Sequence, residues 1–265
     1  DHVAQVDGRD LPVLLTEWNI KSNQKGVPDW DSASEAERNA IDTGLKQAGA
    51  LAAYFHEIAA NDVEYAAIWG LQHQNQMSLA DREGTETGLK AGGVMMQLLQ
   101  DLVIGTHAME IARPDPRFDI HGFGGSEGQV FILNSRSSAE LDLTLDLSAW
   151  VGAEAPVAAL RLSAAEGADP RDPDGAVTLR TLDRAEVTGG DGIALQLAPY
   201  EVLILHYDVP VEGSMTETTT VFDMFELGQG DEVILAEFHD SAMDVQAPPT
   251  VADLLFEIAS PVPES

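Results

Sequence analysis

The sequence predicts a chain of two classes, an α/β part followed by an all-β part. In the first part, two apolar stretches of strand length, residues 11–15 and 63–71, alternate with two stretches whose apolar residues recur every three or four positions, residues 41–59 and 89–102. From about residue 105 the period falls to two, and turn signals separate short apolar segments. The first pattern indicates parallel strands joined by helices, and the second indicates an antiparallel β-sandwich.

The residues at the ends of the first helical stretch support this interpretation. Ser32, followed three residues later by Glu35, has the spacing of a capping box that opens a helix, and Asn61 with Asp62 ends the stretch. The order strand, helix, strand, helix is typical of a parallel sheet with right-handed crossovers. Two such units cannot bury both faces of a parallel sheet, so we expect them to be the last part of a larger one.

Six segments of the second part have the length and composition of strands. The clearest is residues 141–147, in which leucine alternates strictly with polar residues. The six are residues 129–134, 141–147, 157–162, 177–182, 193–197 and 201–207. No helical pattern lies among them, which favours a sandwich. Residues 210–220 are predicted to form a linker, and residues 221–265 form an acidic tail with two apolar clusters.

The composition excludes several classes of function. Asp and Glu total 45 against 14 Lys and Arg, a formal net charge of −31, and such a surface repels nucleic acids and anionic membrane lipids. No apolar run approaches the roughly 18 residues that would span a bilayer. Cysteine is absent, which excludes disulfides, thiol chemistry and cysteine-based metal sites. We expect no metal and no cofactor, and the sequence does not indicate an oligomeric state.

The first predicted strand ends in residues that strand formation does not require. Its apolar run stops at Thr16-Glu17-Trp18-Asn19, which supplies a carboxylate, an indole and an amide. Parallel α/β proteins carry their functional groups at the carboxyl ends of strands, so we interpret Glu17 as a site residue. The alternative is a strand that simply runs into a polar loop.

This combination resembles the C-terminal part of clan A retaining glycoside hydrolases, the TIM-barrel arabinofuranosidases, xylosidases and related enzymes. Thr16-Glu17-Trp18-Asn19 matches the motif around their nucleophile at the end of the seventh strand, and Trp69 matches the aromatic residue at the end of the eighth. Several of these families carry a β-sandwich directly after the eighth helix, with a last strand similar to residues 197–205. The resemblance covers roughly residues 10–208.

The resemblance implies a domain organisation. Residues 1–105 are expected to be the last two βα units of a (β/α)8 barrel, residues 106–209 the β-sandwich domain, and residues 210–265 a linker and acidic C-terminal tail. The implied function is that of a fragment of a retaining O-glycoside hydrolase acting on polysaccharides or oligosaccharides such as arabinosides, xylosides or glucans. The acid/base Glu of these enzymes lies on the fourth strand, and too few residues precede residue 11 to contain it. We therefore expect Glu17 to be the nucleophile of a fragment that is inactive alone.

The carbohydrate substrate is expected to contact aromatic and amide side chains near this strand end. Aromatic rings can stack on a sugar face, and amide or imidazole groups can hydrogen-bond to its hydroxyls. The predicted substrate-binding residues are Trp18, Asn19, Trp30, Trp69, Gln72 and His73. Trp30 is equally well interpreted as a surface lid or as a packing plug. His73 fits the rim of the site better than the role of a catalytic base, because this chemistry uses carboxylates.

The sandwich and the tail leave further alternatives. The sandwich could act as a non-catalytic carbohydrate-binding module, or it could be a packing domain that stabilises the barrel, which is the interpretation we prefer.

Residues 221–234 resemble the segment that closes calcium-binding proteins of type I secretion, although the glycine–aspartate repeats that bind calcium are absent. Together with the acidic composition, this resemblance favours an extracellular or secreted protein.

Overall fold

The first part of the chain has the predicted strand–helix–strand–helix order, with one additional short helix. The computed structural model describes residues 13–19, 30–61, 63–70, 76–80, 88–111, 115–154, 156–187, 192–209, 211 and 221–225. The first elements are β1 (Val13–Trp18), α1 (Glu35–Ala40), α2 (Leu45–Ala60), β2 (Val63–Trp69) and α3 (Ala91–Val103). β1 and β2 pair in parallel, as predicted. None of the helices in the described ranges is long and apolar enough to cross a membrane.

The first predicted helix is in fact two helices. α1 ends at Ala40, and the next residue, Ile41, has an extended backbone. α2 begins after Gly44. The backbone of Gly44 has φ +59° and ψ −134°, a conformation that is almost restricted to glycine. A Cβ atom at this position would lie 2.5 Å from the carbonyl oxygen of Pro170. The apolar periodicity continues across the break because Ile41 and Leu45 are both buried, and this continuity led to the prediction of a single helix.

The capping box lies two residues later than predicted. Ser34 is the N-cap of α1: its hydroxyl accepts a hydrogen bond from the Glu37 amide at 3.4 Å, and the Glu37 carboxylate accepts one from the Ser34 amide at 2.8 Å. Ser32 lies instead in a 3-10 turn, Trp30–Ser32. Both serines have a Glu three residues later, so the sequence spacing alone could not decide between them.

Eight strands form the second part of the chain, and they pair only in an antiparallel manner among the described residues. They are β3 (His107–Met109), β4 (Phe118–Gly124), β5 (Gln129–Ser135), β6 (Leu141–Leu145), β7 (Ala158–Ala164), β8 (Val177–Thr181), β9 (Ile193–Leu197) and β10 (Val202–Tyr207). Six of them form a sheet in the order β3-β4-β5-β10-β7-β8, and β6 pairs with β9. A short helix, α4 (Ser148–Val151), follows β6. All six predicted strands are therefore present, β9 with the predicted ends and the other five with ends shifted by one or two residues.

Strands β3 and β4 were not predicted from the sequence. All 7 residues of β4 are buried, so the strand lacks the alternation of apolar and polar residues that marks a half-exposed strand. Phe123 packs toward α2, whereas Phe118 and Ile120 pack toward β6 and β9. A strand that is covered on both faces does not alternate between apolar and polar residues, and β4 also contains two glycines.

Helix α2 lies between the parallel strands and the six-stranded sheet. One apolar cluster joins α2 and α3 to β1, β2 and one face of the six-stranded sheet, and it contains Phe55 of α2 and Phe123 of β4. A second cluster lies between the other face of this sheet and the β6–β9 pair, and it contains Phe131 and Leu197. The domain boundary between residues 105 and 106 remains a prediction, and the first cluster extends across it.

A strand from the predicted tail joins the first sheet. β11 (Val221–Phe225) pairs in parallel with β2, so that Val221 is opposite Tyr65 and Phe225 is opposite Trp69. The resulting strand order is β1-β2-β11. The predicted linker lies outside the described residues except for residue 211, and so does the tail from residue 226 onward.

We expect Gly44→Ala to destabilise the protein, because alanine would have to adopt a glycine-only backbone conformation and its Cβ would collide with Pro170. The Pro170 carbonyl accepts a hydrogen bond from the Leu45 amide at 2.8 Å, and the collision would break this link. The expected loss in the free energy of unfolding, measured by urea denaturation, is about 2–4 kcal/mol.

Gly105→Ala is the matched control for this substitution. Gly105 also has a positive φ, +80°, but no atom lies within 4 Å of the position of its Cβ. We expect it to lose only the backbone contribution, about 1–2 kcal/mol. Equal losses in the two variants would contradict the role of the close approach to Pro170.

Candidate active site at the end of strand β1

An irregularity in the strand pairing places Glu17. Leu15 of β1 is opposite Ala66 of β2, but Trp18 is opposite Ile68, so the two residues Thr16 and Glu17 stand beside the single residue 67. An extra residue of this kind is a β-bulge, which redirects side chains and occurs often beside active sites. As a result Thr16 and Glu17 are both exposed, and Trp18 is buried.

The bulge separates the side chains of β1 into two groups. Val13, Leu15 and Trp18 pack on the apolar cluster formed with the helices. Leu14, Thr16 and Glu17 are exposed, and Leu14 retains 59% of its accessible surface. In a closed barrel the side of a strand away from the helices faces the barrel interior. Glu17 is therefore directed away from the helix layer, on the same side as the largely exposed Leu14.

Trp18 lies in the protein core. Only 8% of its surface is exposed, and its indole Nε1 is buried without a hydrogen-bond partner in the structure. A ring in this position packs against neighbouring apolar side chains and offers no open face for a sugar. This placement fits a structural role for Trp18 better than the predicted role in substrate binding.

Asn19 connects the end of β1 to the segment that follows β2. Its side-chain Nδ2 donates a hydrogen bond to the carbonyl oxygen of Met77 at 3.4 Å. The same carbonyl accepts a second bond, at 2.9 Å, from Nε2 of Gln47, which is buried in α2. The sequence analysis did not identify Gln47 as a site residue. The sequence did offer one indication, a glutamine on the buried face of an apolar helix. A buried amide requires a hydrogen-bond partner, so such a residue is expected to connect the helix to another segment.

Trp30 is also buried, with 7% of its surface exposed. The Arg38 guanidinium carbon lies 4.9 Å from the centroid of the indole ring, and Arg38 Nε donates to the Trp30 carbonyl oxygen at 3.2 Å. Of the two predicted roles, a lid or a packing plug, this arrangement favours the plug.

Trp69 is the last residue of β2, and its backbone lies beside the end of β1 because Ile68 is paired with Trp18. Gly70 follows with φ +88°, a backbone conformation that favours glycine. Gln72 and His73 lie outside the described residues. Glu17, Asn19 and Trp69 are thus brought to one end of the parallel strands. In the described part of the chain, no group of three or more His, Asp and Glu side chains could hold a metal ion.

An ion-pair cluster connects the β7–β8 loop to helix α1, which follows the β1 end. Arg171 pairs with Glu35 at 2.5 Å and with Asp169 at 2.7 Å, and it donates to Asn39 Oδ1 at 2.5 Å. Hydrogen bonds from Arg171 lower the pKa values of both carboxyl groups below their ordinary values. Thr43 Oγ1 donates to the Arg171 carbonyl at 2.6 Å, so the loop is held at both its side chain and its backbone.

Comparison with known proteins gives similarity in structure only. No protein-family model and no curated sequence matches the chain. A glycoside hydrolase family 30 subfamily 8 xylanase from Clostridium acetobutylicum superposes with a TM-score of 0.50 and 12% identity, covering 79% of this chain and 45% of the xylanase. A family 51 alpha-L-arabinofuranosidase from Bifidobacterium longum superposes with a TM-score of 0.50 and 13% identity, covering 78% of this chain and 44% of that enzyme.

These similarities concern the fold, and the chain spans less than half the length of either enzyme. Parallel strands with helices, followed by packed antiparallel sheets, are thus an arrangement that this chain shares with glycoside hydrolases.

We expect Arg171→Gln to lower the melting temperature at neutral pH, because Glu35 and Asp169 would lose their main partner. Carboxyl groups whose pKa is lowered by folding stabilise the folded state above their unfolded pKa, and this contribution disappears as the pH falls through the folded pKa. The difference from the parent chain should therefore shrink below about pH 4.

Arg180→Gln is the control, since Arg180 pairs with Glu186 at 3.1 Å on a more exposed surface and should contribute less. The experiment is a series of thermal melts across pH. A melting difference for Arg171→Gln that does not change with pH would assign the effect to packing of the arginine stem instead of its charge.

Proposed function

We propose that Glu17 is the nucleophile of a retaining glycoside hydrolase, to which this chain contributes the last two βα units of a barrel and the β-sandwich. The observation that carries this proposal is the bulge, which exposes Glu17 at the carboxyl end of a parallel strand and directs it away from the core. The substrate would be a polysaccharide or oligosaccharide of the arabinoside, xyloside or glucan type. The shared fold of glycoside hydrolases supports the proposal.

The proposed reaction requires two carboxyl groups about 5 Å apart. Glu17 would attack the anomeric carbon, forming a glycosyl–carboxylate bond as the glycosidic C–O bond breaks. A second carboxylic acid would protonate the departing oxygen and then, as a carboxylate, activate water to hydrolyse the intermediate. We place this acid/base residue on a part of the barrel outside the described residues, and we expect the 265-residue chain alone to be inactive.

The positions of the other candidates refine the proposed substrate contacts. Asn19 and Trp69 lie near the Glu17 strand end and remain the best candidates among the described residues for holding a sugar. Gln72 and His73 remain predictions because they lie outside the described residues. We propose that Trp18 and Trp30 support the site by packing in the protein core, since both rings are buried.

Replacing Glu17 tests the assignment. In the form of the enzyme that carries the complete barrel, we expect Glu17→Ala to lower kcat on the order of 10⁴-fold or more, because the covalent step loses its nucleophile. A 2-deoxy-2-fluoro glycoside, which slows hydrolysis of the intermediate, should label the peptide that contains Glu17, as detected by mass spectrometry.

Glu140→Ala is the matched control, because Glu140 is an exposed glutamate in the sandwich. It should leave kcat and the labelling unchanged. Normal turnover by Glu17→Ala, or a label on a different carboxylate, would exclude Glu17 as the nucleophile.

The second candidate function is a packing role for the sandwich, favoured by the core that it shares with α2. The rings of Phe55 and Phe123 lie 6.0 Å apart between centroids, in an edge-to-face arrangement, and His56 lies 5.3 Å from Phe123. These side chains come from the predicted barrel part and from the predicted sandwich. They couple the two parts by direct apolar contact.

We expect Phe123→Ala to cost about 3–5 kcal/mol of unfolding free energy, because a large buried ring is removed. If the sandwich stabilises the helices, circular dichroism at 222 nm, which reports helices, and tryptophan fluorescence, to which Trp150 of the sandwich contributes beside Trp18, Trp30 and Trp69, should show the same loss of stability. Phe123→Leu should cost less. Loss of stability in the sandwich alone, with the helices unaffected, would contradict the packing role.

A further inference from the structure

A groove runs along helix α2 on the side that faces the six-stranded sheet, and we call it the α2 groove. Its volume is about 460 Å³, within the range of ligand-binding clefts. On the helix side it is lined by residues that recur every three or four positions: Asp42, Lys46, Gly49, Ala53 and Glu57. From Lys46 to Glu57, which both belong to α2, this row extends about 16 Å along the helix axis. The groove is therefore elongated, as a binding site for a segment of a linear polymer should be.

The sheet side of the groove is polar and built from buried side chains. Asp119 of β4 and Asn134 of β5 both line it, and both are only 6% exposed. The carboxylate of Asp119 lies 3.7 Å from the Arg136 guanidinium. The Oδ1 atom of Asn134 is buried and has no hydrogen-bond partner in the structure. Because the terminal amide torsion is soft, a hydroxyl in the groove can satisfy this oxygen after a small rotation.

Gly49 allows the Asn134 side chain to pack directly against α2 at the wall of the groove. A Cβ atom at Gly49 would lie 2.8 Å from Asn134 Nδ2 and 3.0 Å from its Cγ, closer than ordinary contact. Gly49 lies in the middle of α2, where glycine costs about 1 kcal/mol of stability relative to alanine. The close approach of Asn134 is thus maintained at a cost in helix stability.

Two tyrosines supply aromatic surface to the groove. Tyr54 lines it and is 53% exposed, and Tyr200 lines it at the opposite wall. Lys46 Nζ lies 5.7 Å from the Tyr200 ring and is held by the carbonyl oxygens of Asn39 and Ile41. The cation is therefore already engaged, and the open ring of Tyr54 is the one available for stacking.

The charges in the groove favour a neutral ligand. Lys46 and Arg136 contribute positive charge, and Asp42, Glu57 and Asp119 contribute negative charge, so neither a strong anion nor a strong cation is selected. An aromatic face, buried carboxylate and amide groups, and an elongated shape are the features that recognise a chain of rings bearing hydroxyl groups.

We propose that the α2 groove binds an extended segment of a neutral oligosaccharide, at a carbohydrate site separate from Glu17. The class of ligand rests on the proposed function. The site itself does not, because the groove is formed by α2 and the sheet without any contribution from Glu17. Since α2 follows the loop after β1, the Asp42 end of the groove lies toward the end of the sheet that carries Glu17. The groove thus provides a path for a polymer that extends beyond the catalytic centre.

The test measures binding of xylohexaose, arabinohexaose, cellohexaose and neoagarohexaose to the 265-residue chain by amide NMR and calorimetry. We expect at least one sugar to bind with a Kd of about 1 mM or tighter and to shift the signals of the groove residues. Tyr54→Ala should weaken this binding at least about tenfold, by removing the aromatic surface. Gly49→Ala should do the same by placing a methyl group against Asn134.

Tyr54→Phe keeps the ring and should keep the affinity, and Val157→Ala, at an exposed position of the sandwich, should have no effect. Glu17→Ala should also bind normally, which separates this proposal from the assignment of the nucleophile. No binding of any of the four sugars would overturn the proposal. Binding that survives both groove variants, or that is lost in Glu17→Ala, would also overturn it, since the sugar would then lie elsewhere.

Discussion

The burial of helix α2 on two opposite sides is the constraint on which the rest of the structure depends. Leu51 and Phe55 are almost fully buried, and the cluster that contains them includes side chains from the parallel strands and from the six-stranded sheet. Each such side chain contributes about 1.5–3 kcal/mol of apolar burial. A helix enclosed in this way fixes the parallel strands relative to the sandwich. The end of β1, which packs on one side only, is thereby held in place by its contacts with this helix layer.

The elements that were predicted correctly show an apolar pattern in their own sequence, either an alternation or, as in the fully buried β5, a continuous apolar run, and the errors occurred where another part of the chain decides the local structure. The alternating leucines of residues 141–145 and the apolar face of α3 are visible in the sequence because their other sides are polar or partly exposed. β4 was not predicted because its buried residues include Asp119, His121 and two glycines, which interrupt the apolar run that makes the equally buried β5 recognisable. The break before α2 was not predicted because it depends on the Pro170 carbonyl, which is far away in sequence. Local periodicity cannot report on a long-range contact.

For the candidate site, the residue type was predictable but the orientation was not. A Glu-Trp-Asn ending identified the position of Glu17 from the sequence. A regular strand, however, would have placed Glu17 on the same side as Val13 and Leu15, toward the helices. The register shift after Leu15 reverses this, exposing Glu17 and burying Trp18. The hydrogen bonds from Asn19 and Gln47 to the Met77 carbonyl could not be predicted either, since they join three separate segments.

The pairing of β11 with β2 has a consequence for how the protein is synthesised and folded. The partners Tyr65 and Val221 are about 150 residues apart in sequence, and parallel contacts over such distances form slowly. On the ribosome, β2 emerges long before β11, so this edge of β2 is open to other strands while the sandwich is being made, and in the proposed barrel the first barrel strand would compete with β11 for it. Exposed strand edges of this kind invite association between chains. The high negative charge of the chain opposes that association through repulsion during the time before β11 pairs with β2.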